Sequence, residues 1–328
     1  MKYRPLGRTG LEVSEVGFGC GGIGGLFVRG APGEQRAAVE AALAGGINYF
    51  DTAALYGNGR SEENLGRVLR ELGVEATVGT KINLAAEEVA SAETAVAEKL
   101  AEGLRRLGRE RVDVCTLHGR IRTSGGPSSG ALPADQVCGA VAAGLRRAVD
   151  AGLAGAIGFT GLGDTAAIHQ VISSGAFDYA QCYFNVLNPS AVRPGAAPED
   201  AQDFEGVIGR SAEAGMGIMA IRVFGAGAVG ATPARHPLAG DPGGPLAGGG
   251  YASDLARAHR LGSVSTDLGL ESPFELALRA TLAADVSTAL VGFSDRAQVE
   301  DALRWQARGP LSESELAQAI GGEHEPRG

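Results

Sequence analysis

Short apolar runs alternate with amphipathic stretches along almost the whole chain. The runs at 16–19, 47–50, 77–80, 112–117, 156–159, 178–182, 217–220 and 288–291 lack the apolar–polar alternation of a half-exposed strand. They read as strands covered on both faces, the pattern of a parallel sheet flanked by helices. Between them the period changes to that of a helix. Leu65, Val68, Leu69 and Leu72 share one helical face, as do Val96, Leu100, Leu104 and Leu107, and Ile168, Val171 and Ile172. Gly45, Gly73, Gly108, Gly152, Gly175 and Gly215 stand where helices should end, a position that favours a left-handed backbone. Ser61, followed by Glu62 and Glu63, is the expected cap of one helix. Ser272 to Glu275, with Pro273, and Ser312 to Glu315 form capping boxes of two more. Residues 3–13 form a hairpin that turns at 7–10. Eight buried strands with intervening helices predict an α/β fold, a (β/α)8 TIM barrel with an N-terminal β-hairpin and an extra C-terminal helix. A doubly wound sheet is the alternative. No linker interrupts the pattern, so residues 1–328 are expected to form a single domain. The irregular part is 224–251, rich in Gly, Pro and Ala and expected to be a mobile functional loop that closes over phosphate groups.

Composition narrows the function classes. The chain carries 29 Lys and Arg against 38 Asp and Glu, a net charge of −9, with 44% hydrophobic and 20% charged residues. Disorder would need fewer apolar residues. An acidic chain without a basic run is not expected to bind nucleic acid. No apolar stretch approaches the roughly 18 residues of a membrane span, and Met1 to Pro5 has no apolar core of a secretory signal. A cytoplasmic protein with no membrane partner is therefore expected. Cys20, Cys115, Cys138 and Cys182 are scattered, which argues against a disulfide framework or zinc site. Glycine numbers 52, so Gly-x-Gly-x-x-Gly matches at 17–22 and 225–230 carry little weight, and neither opens a helix.

The informative residues lie at strand ends. Asp51 follows the strand at 47–50, and Tyr56 and Gly57 follow in its loop. Lys81 and His118 end the next two strands. Catalytic groups of such barrels come from the C-terminal ends of several strands. A Tyr hydroxyl, with an ordinary pKa of about 10, is a poor acid or base near neutrality, and a neighbouring ammonium lowers that value. A carboxylate can hold the ammonium, and a His can orient a carbonyl oxygen. The set suits proton transfer at an alcohol or carbonyl oxygen while a hydride moves to carbon. Singly, these residues read as a helix cap, loop packing, a surface charge and a core histidine. Together, in consecutive units, they do not.

The run Gly46 to Ala53, with Tyr56-Gly57, Thr80-Lys81 and Leu117-His118, closely resembles the aldo-keto reductases, as does the opening Tyr3 to Leu11 with Val16 to Gly19. The resemblance extends nearly end to end. It implies a nicotinamide cofactor, NADP or NAD, bound extended without a Rossmann fold, and Tyr56 as general acid/base. Lys81 and Asp51 would tune Tyr56, and His118 would orient the substrate oxygen. It also implies that Gly21, Asp51, Thr160, Gln181, Ile221, Arg222, Val223, Gly292, Ser294 and Gln298 contact the cofactor. Several of these depart from the family's pattern. Thr160 and Gly161 stand in place of a Ser-Asn pair on the carboxamide, with Gln181 and Asn185 following in a Gln-x-x-x-Asn run. Ile221 replaces a stacking aromatic. Arg222 replaces a small polar residue and is either a pyrophosphate contact or a surface charge. The Arg that pairs with a 2′-phosphate is replaced by Ser294, with Arg296 nearby as a substitute or a solvated helix residue. Residues 158–163 are similar to the branch containing L-galactose and D-threo-aldose dehydrogenases.

The implied activity is NAD(P)-dependent interconversion of a carbonyl (aldehyde, ketone or aldose) with an alcohol or lactone. A small-molecule carbonyl or sugar is the implied partner, and the loop at 117–130 would shape its choice. The oligomeric state is open. A non-catalytic nicotinamide-binding partner on the same barrel, such as a potassium-channel β subunit, is the alternative, against which the intact set of four residues argues. A metal-dependent sugar isomerase would need clustered ligands, and His169, His236, His259 and His324 are dispersed, so no metal is expected.

Overall fold

The computed structural model describes residues 1–123, 130–242 and 250–321. An antiparallel hairpin, β1 (Tyr3–Pro5) and β2 (Glu12–Ser14), precedes four strands, β3 (Val16–Gly19), β4 (Tyr49–Asp51), β5 (Thr77–Ile82) and β6 (Val112–Leu117). Two short strands follow, β7 (Arg120–Arg122) and β8 (Ala131–Pro133), then β9 (Ala154–Gly163), β10 (Tyr179–Tyr183), β11 (Gly217–Ile221) and β12 (Thr288–Gly292). Strands β3, β4, β5, β6, β9, β10, β11 and β12 pair in that order, all parallel, and β12 pairs back onto β3. The eight form a closed (β/α)8 barrel. Each begins within two residues of the position expected from the apolar runs.

Side-chain size explains how the barrel fills. Tyr49 and Tyr179 are fully buried inside it with Val114, Met219 and Leu290, while Leu6 and Val13 of the hairpin close the bottom. Two phenols in so narrow a space need neighbours without side chains. A Cβ at Gly79 would overlap the Tyr49 hydroxyl, and one at Gly158 would overlap the Tyr179 ring. Burial also obliges each hydroxyl to find a partner. Tyr179 shares a 2.6 Å bond with Thr116, and Tyr49 points to Asp51. A larger apolar layer joins the outer strand faces to surrounding helices, among them Pro32–Ala44, Arg60–Leu72, Ala92–Leu107 and Arg296–Ala307.

The helix-end signals hold in part. Gly73, Gly108, Gly152, Gly175 and Gly215 all have positive φ, whereas Gly45 is right-handed and the left-handed turn falls on Gly46. Ser312 makes its reciprocal capping box. Ser272 caps its helix through the Glu275 amide, but the Glu275 side chain accepts from the Glu271 amide instead of the cap residue. Ser61 is not a cap. Gly59 holds that position at φ 89°, and Ser61 is buried in the first turn, donating to the Cys20 carbonyl at 2.8 Å and accepting from Thr52. Its hydroxyl serves the barrel wall because the backbone before it is already turned by glycine.

The segment at 224–251 is more structured than its composition suggests. A short 3-10 turn (Gly225–Gly230) leads into a strap across the C-terminal end of the barrel. Arg29 Nε donates to the Leu238 carbonyl at 2.8 Å, and the Gly240 amide donates to Gly22 at 3.1 Å. His236 Nε2 lies 3.4 Å from Asp295 Oδ2. These bonds come from distant residues, which a local pattern does not reveal. The remainder of the segment, 243–249, lies outside the described residues, as does 124–129 of the loop expected to shape substrate choice. The extra C-terminal helix is Glu313–Ala319.

Candidate active site

A cavity of about 560 Å³ opens at the C-terminal ends of the strands and runs beneath the strap. At its floor, β4 delivers Asp51 and β5 delivers Lys81, both almost fully buried. Lys81 Nζ donates to Asp51 Oδ2, to the Thr52 carbonyl at 2.9 Å and to the Tyr56 hydroxyl at 3.1 Å. Asp51 Oδ1 accepts from Gln181 Nε2 at 2.8 Å. The ammonium thus has all three protons placed, which is how a buried charge avoids most of its desolvation cost. Burial is the largest single influence and lowers the Lys81 pKa, but the charges of Asp51 and Tyr56 and the hydrogen bonds to both together hold Lys81 above its ordinary value.

Tyr56 and His118 form the wall above this floor. Their rings meet edge to face, with centroids 5.7 Å apart. Burial raises the Tyr56 pKa, the Lys81 ammonium opposes it, and the net direction is upward. The Lys81 ammonium pulls this pKa down as expected, but desolvation of the buried phenol, with the Asp51 charge added to it, outweighs that pull in the free protein. Burial, reinforced by Lys81, pushes His118 down to about 3, so its imidazole is neutral at ordinary pH. Its Nδ1 is buried without a partner, while its backbone amide is fixed by the Ile82 carbonyl at 2.6 Å.

This depression makes a testable cost. The unfolded His118, at about 6.5, binds a proton that the folded residue refuses, so its contribution to stability is undiminished above that pH and falls on acidification. Between pH 6.5 and 5 the loss is about 2 kcal/mol, at roughly 1.4 kcal/mol per pH unit. Denaturant titrations at the two pH values should show it in the parent and not in His118→Gln. An equal acid slope in both would place the origin elsewhere.

The other residues singled out in the sequence converge on the same cavity. Gly21, Thr160, Gln181, Ile221, Arg222, Val223, Gly292, Ser294 and Gln298 all line it with Asp51, Tyr56 and His118, and Lys81 stands behind the lining. Arg222 is half-buried at φ 62°, an unusual backbone for a side chain of its size, and its carbonyl accepts from Asn185 Nδ2 at 3.0 Å. Its guanidinium reaches the Pro242 carbonyl at 3.1 Å, and no carboxylate of the described residues pairs with it. It is not a surface charge. Asn185 also accepts from the Leu187 and Asn188 amides, so it shapes the chain around Arg222 and does not line the cavity. Arg296 does not reach the site. It is 61% exposed and pairs with Glu300 at 2.7 Å, while Ser294 Oγ donates to the Gly24 carbonyl at 2.6 Å.

Sequence reading missed Arg235, His236, Asp301 and Trp305, which also line the cavity. Arg235 reaches it from the strap, held by the carbonyls of Gly240 and Ala226. Nothing periodic marks its position. Asp301 and Trp305 follow Gln298 at the three- and four-residue steps of one helix, Arg296–Ala307. That spacing could have pointed to them. Among the described residues, no group of His, Cys, Asp or Glu is arranged to hold a metal, and no helix is long and apolar enough to cross a membrane.

The chain resembles known proteins over part or all of its length. It is 44% identical over 79 residues to pyridoxal 4-dehydrogenase of Microbacterium luteolum, covering 24% of this chain and 23% of that protein. It is 37% identical over 121 residues to L-galactose dehydrogenase of Arabidopsis thaliana, covering 36% and 38% respectively. These matches span well under half of the relatives' own length. An aldo-keto reductase of Bacillus halodurans in its holo form superposes over the full length of both chains, with TM-score 0.72 at 22% identity. One from Klebsiella pneumoniae in complex with NADPH covers 97% of this chain and 94% of its own, with TM-score 0.68 at 18% identity. At those identities the likeness concerns the fold. The aldo/keto reductase family profile, however, matches residues 15–320, and with the closed barrel and its strand-end residues this establishes that the chain belongs to the aldo/keto reductase family.

Proposed function

We propose that the protein is an NAD(P)-dependent oxidoreductase that interconverts an aldehyde, ketone or aldose with the corresponding alcohol or lactone. The observation that carries this reading is the Tyr56 hydroxyl, lining the cavity and 3.1 Å from the buried Lys81 ammonium. In reduction Tyr56 would give its phenolic proton to the carbonyl oxygen, and the resulting phenolate would be stabilised by Lys81. In oxidation the phenolate would take the proton back from the alcohol. Neutral His118 would orient the oxygen without competing for that proton. Asp51, itself held by Gln181, keeps Lys81 in place and balances its charge in the resting protein.

The cavity fits a dinucleotide. Arg222 and Arg235 present guanidinium groups with no carboxylate partner, as a pyrophosphate needs. Gly21, Gly22 and Gly292 leave part of the wall without side chains, and a Cβ at Gly21 would stand 3.5 Å from the Tyr56 ring. Thr160 and Gln181 would hold the carboxamide, Ile221 the nicotinamide face, and Val223, Ser294 and Gln298 the remainder. When bound, the nicotinamide supplies or accepts the hydride. A panel of aldehydes and aldoses, followed at the reduced-nicotinamide absorbance, tests the reading, and no turnover with any of them would defeat it.

The same wall bears on the choice of cofactor. Selection of a 2′-phosphate generally uses an Arg fork. Here Ser294 is committed to Gly24, Arg296 to Glu300, and Asp301 adds a carboxylate to the lining. NAD(H) should bind at least as tightly as NADP(H). Trp305 is the single tryptophan and lies in the cavity lining, so its fluorescence should change as either cofactor is titrated. A preference for NADP(H) of tenfold or more would refute this assignment.

A further inference from the structure

The described cations of the site are otherwise accounted for: Lys81 by Asp51, and Arg222 and Arg235 by backbone carbonyls and the phosphates they suit. Arg120 is not. It lies two residues beyond His118 on β7, which pairs in parallel with the far end of β9, placing Arg120 opposite Leu162 and Ile121 opposite Gly163. Paired residues of neighbouring strands face the same side. Leu162 lines the cavity, whereas Ile121 is buried in the apolar layer beneath the outer helices, so Arg120 shares the strand face of Leu162, next to the cavity lining without being part of it. It is half-buried, its Nε is shielded from solvent, and its guanidinium has no hydrogen-bond or ion-pair partner among the described residues. Its neighbour Arg122 pairs with Asp164 at 3.2 Å. A guanidinium held half out of water without a counter-charge among the described residues, opposite a residue of the cavity lining, is suited to complete its bonds with an anion.

We propose that Arg120 is a specificity-determining residue that selects carbonyl substrates carrying a negatively charged group, a carboxylate or a phosphate. The proposal rests on the oxidoreductase reading above and adds the substrate class to it. Three matched pairs test it: succinic semialdehyde against butanal, glucuronate against glucose, and glyceraldehyde 3-phosphate against glyceraldehyde. The anionic member of at least one pair should show kcat/KM roughly tenfold to a hundredfold higher, the range of a charged hydrogen bond. Carboxylate and phosphate are told apart by which pairs show it. In Arg120→Met the ratio should fall towards one, chiefly through KM, while Arg120→Lys keeps part of it. Equal use of anionic and neutral members by the parent, or a preference that survives Arg120→Met, would overturn the proposal. If no carbonyl compound is turned over, the oxidoreductase reading fails separately. Calorimetry with 4-hydroxybutanoate then decides on Arg120: binding to the parent that is lost in Arg120→Met supports it, and no binding or equal binding refutes it.

Discussion

Tyr56→Phe is expected to lower turnover by roughly 10²–10⁴, the contribution typical of a positioned general acid or base, with cofactor affinity and melting temperature close to the parent's. The substitution removes one oxygen from a ring whose edge-to-face contact with His118 is preserved. Lys81 keeps its bonds to Asp51 and the Thr52 carbonyl. Because the Tyr56 pKa is raised, the phenol is protonated throughout the neutral range. The parent's reduction rate should therefore be flat there, and its oxidation rate should rise towards alkaline pH as the phenolate becomes accessible. Steady-state rates in both directions across pH would check this. Near-parental turnover in the Phe variant would remove Tyr56 from the chemistry.

Lys81→Met has the second large expected effect, on stability as well as rate. Removing one partner of a buried pair leaves an uncompensated charge, here Asp51, at a cost of about 3–5 kcal/mol. Asp51→Asn combined with Lys81→Met should recover most of that cost, since it removes the stranded charge, while activity stays low. The sign with pH is also fixed. Lys81 is held above its ordinary value, so the stability it contributes is intact up to about pH 10 and is lost as pH rises through the higher folded value. Denaturant titration of the parent and both variants at neutral and alkaline pH measures all of this. If the double variant is no more stable than Lys81→Met, the charge is not what the lysine balances.

The strand-end residues were legible because barrel geometry converts chain position into spatial position. Asp51, Lys81 and His118 close consecutive parallel strands, and parallel strands of one barrel put their C-terminal ends on one rim. A residue's place on that rim follows from where its apolar run ends. The helix faces were legible for a similar reason, since a 3.6-residue period survives any tertiary context that buries one side. Ser61 and Gly45 misled because capping signals are short. A neighbouring Gly59 or Gly46 that tolerates positive φ takes over the turn.

What the amino-acid sequence determined alone is the set of local conformational choices and their order: eight buried strands, the helices between them, and four polar residues leaving strand ends. What only the tertiary structure decided is which charges meet. Arg296, two residues from Ser294 in the chain, turns outward to Glu300, while Arg235 comes into the cavity from the strap. The Tyr56 pKa rises although a lysine lies beside it, because burial of the phenol, with the Asp51 charge added to it, outweighs the pull of that lysine. Coulomb interactions depend on distance and on how much water is excluded, and both are set by packing between residues far apart in sequence. Backbone periodicity carries no record of them.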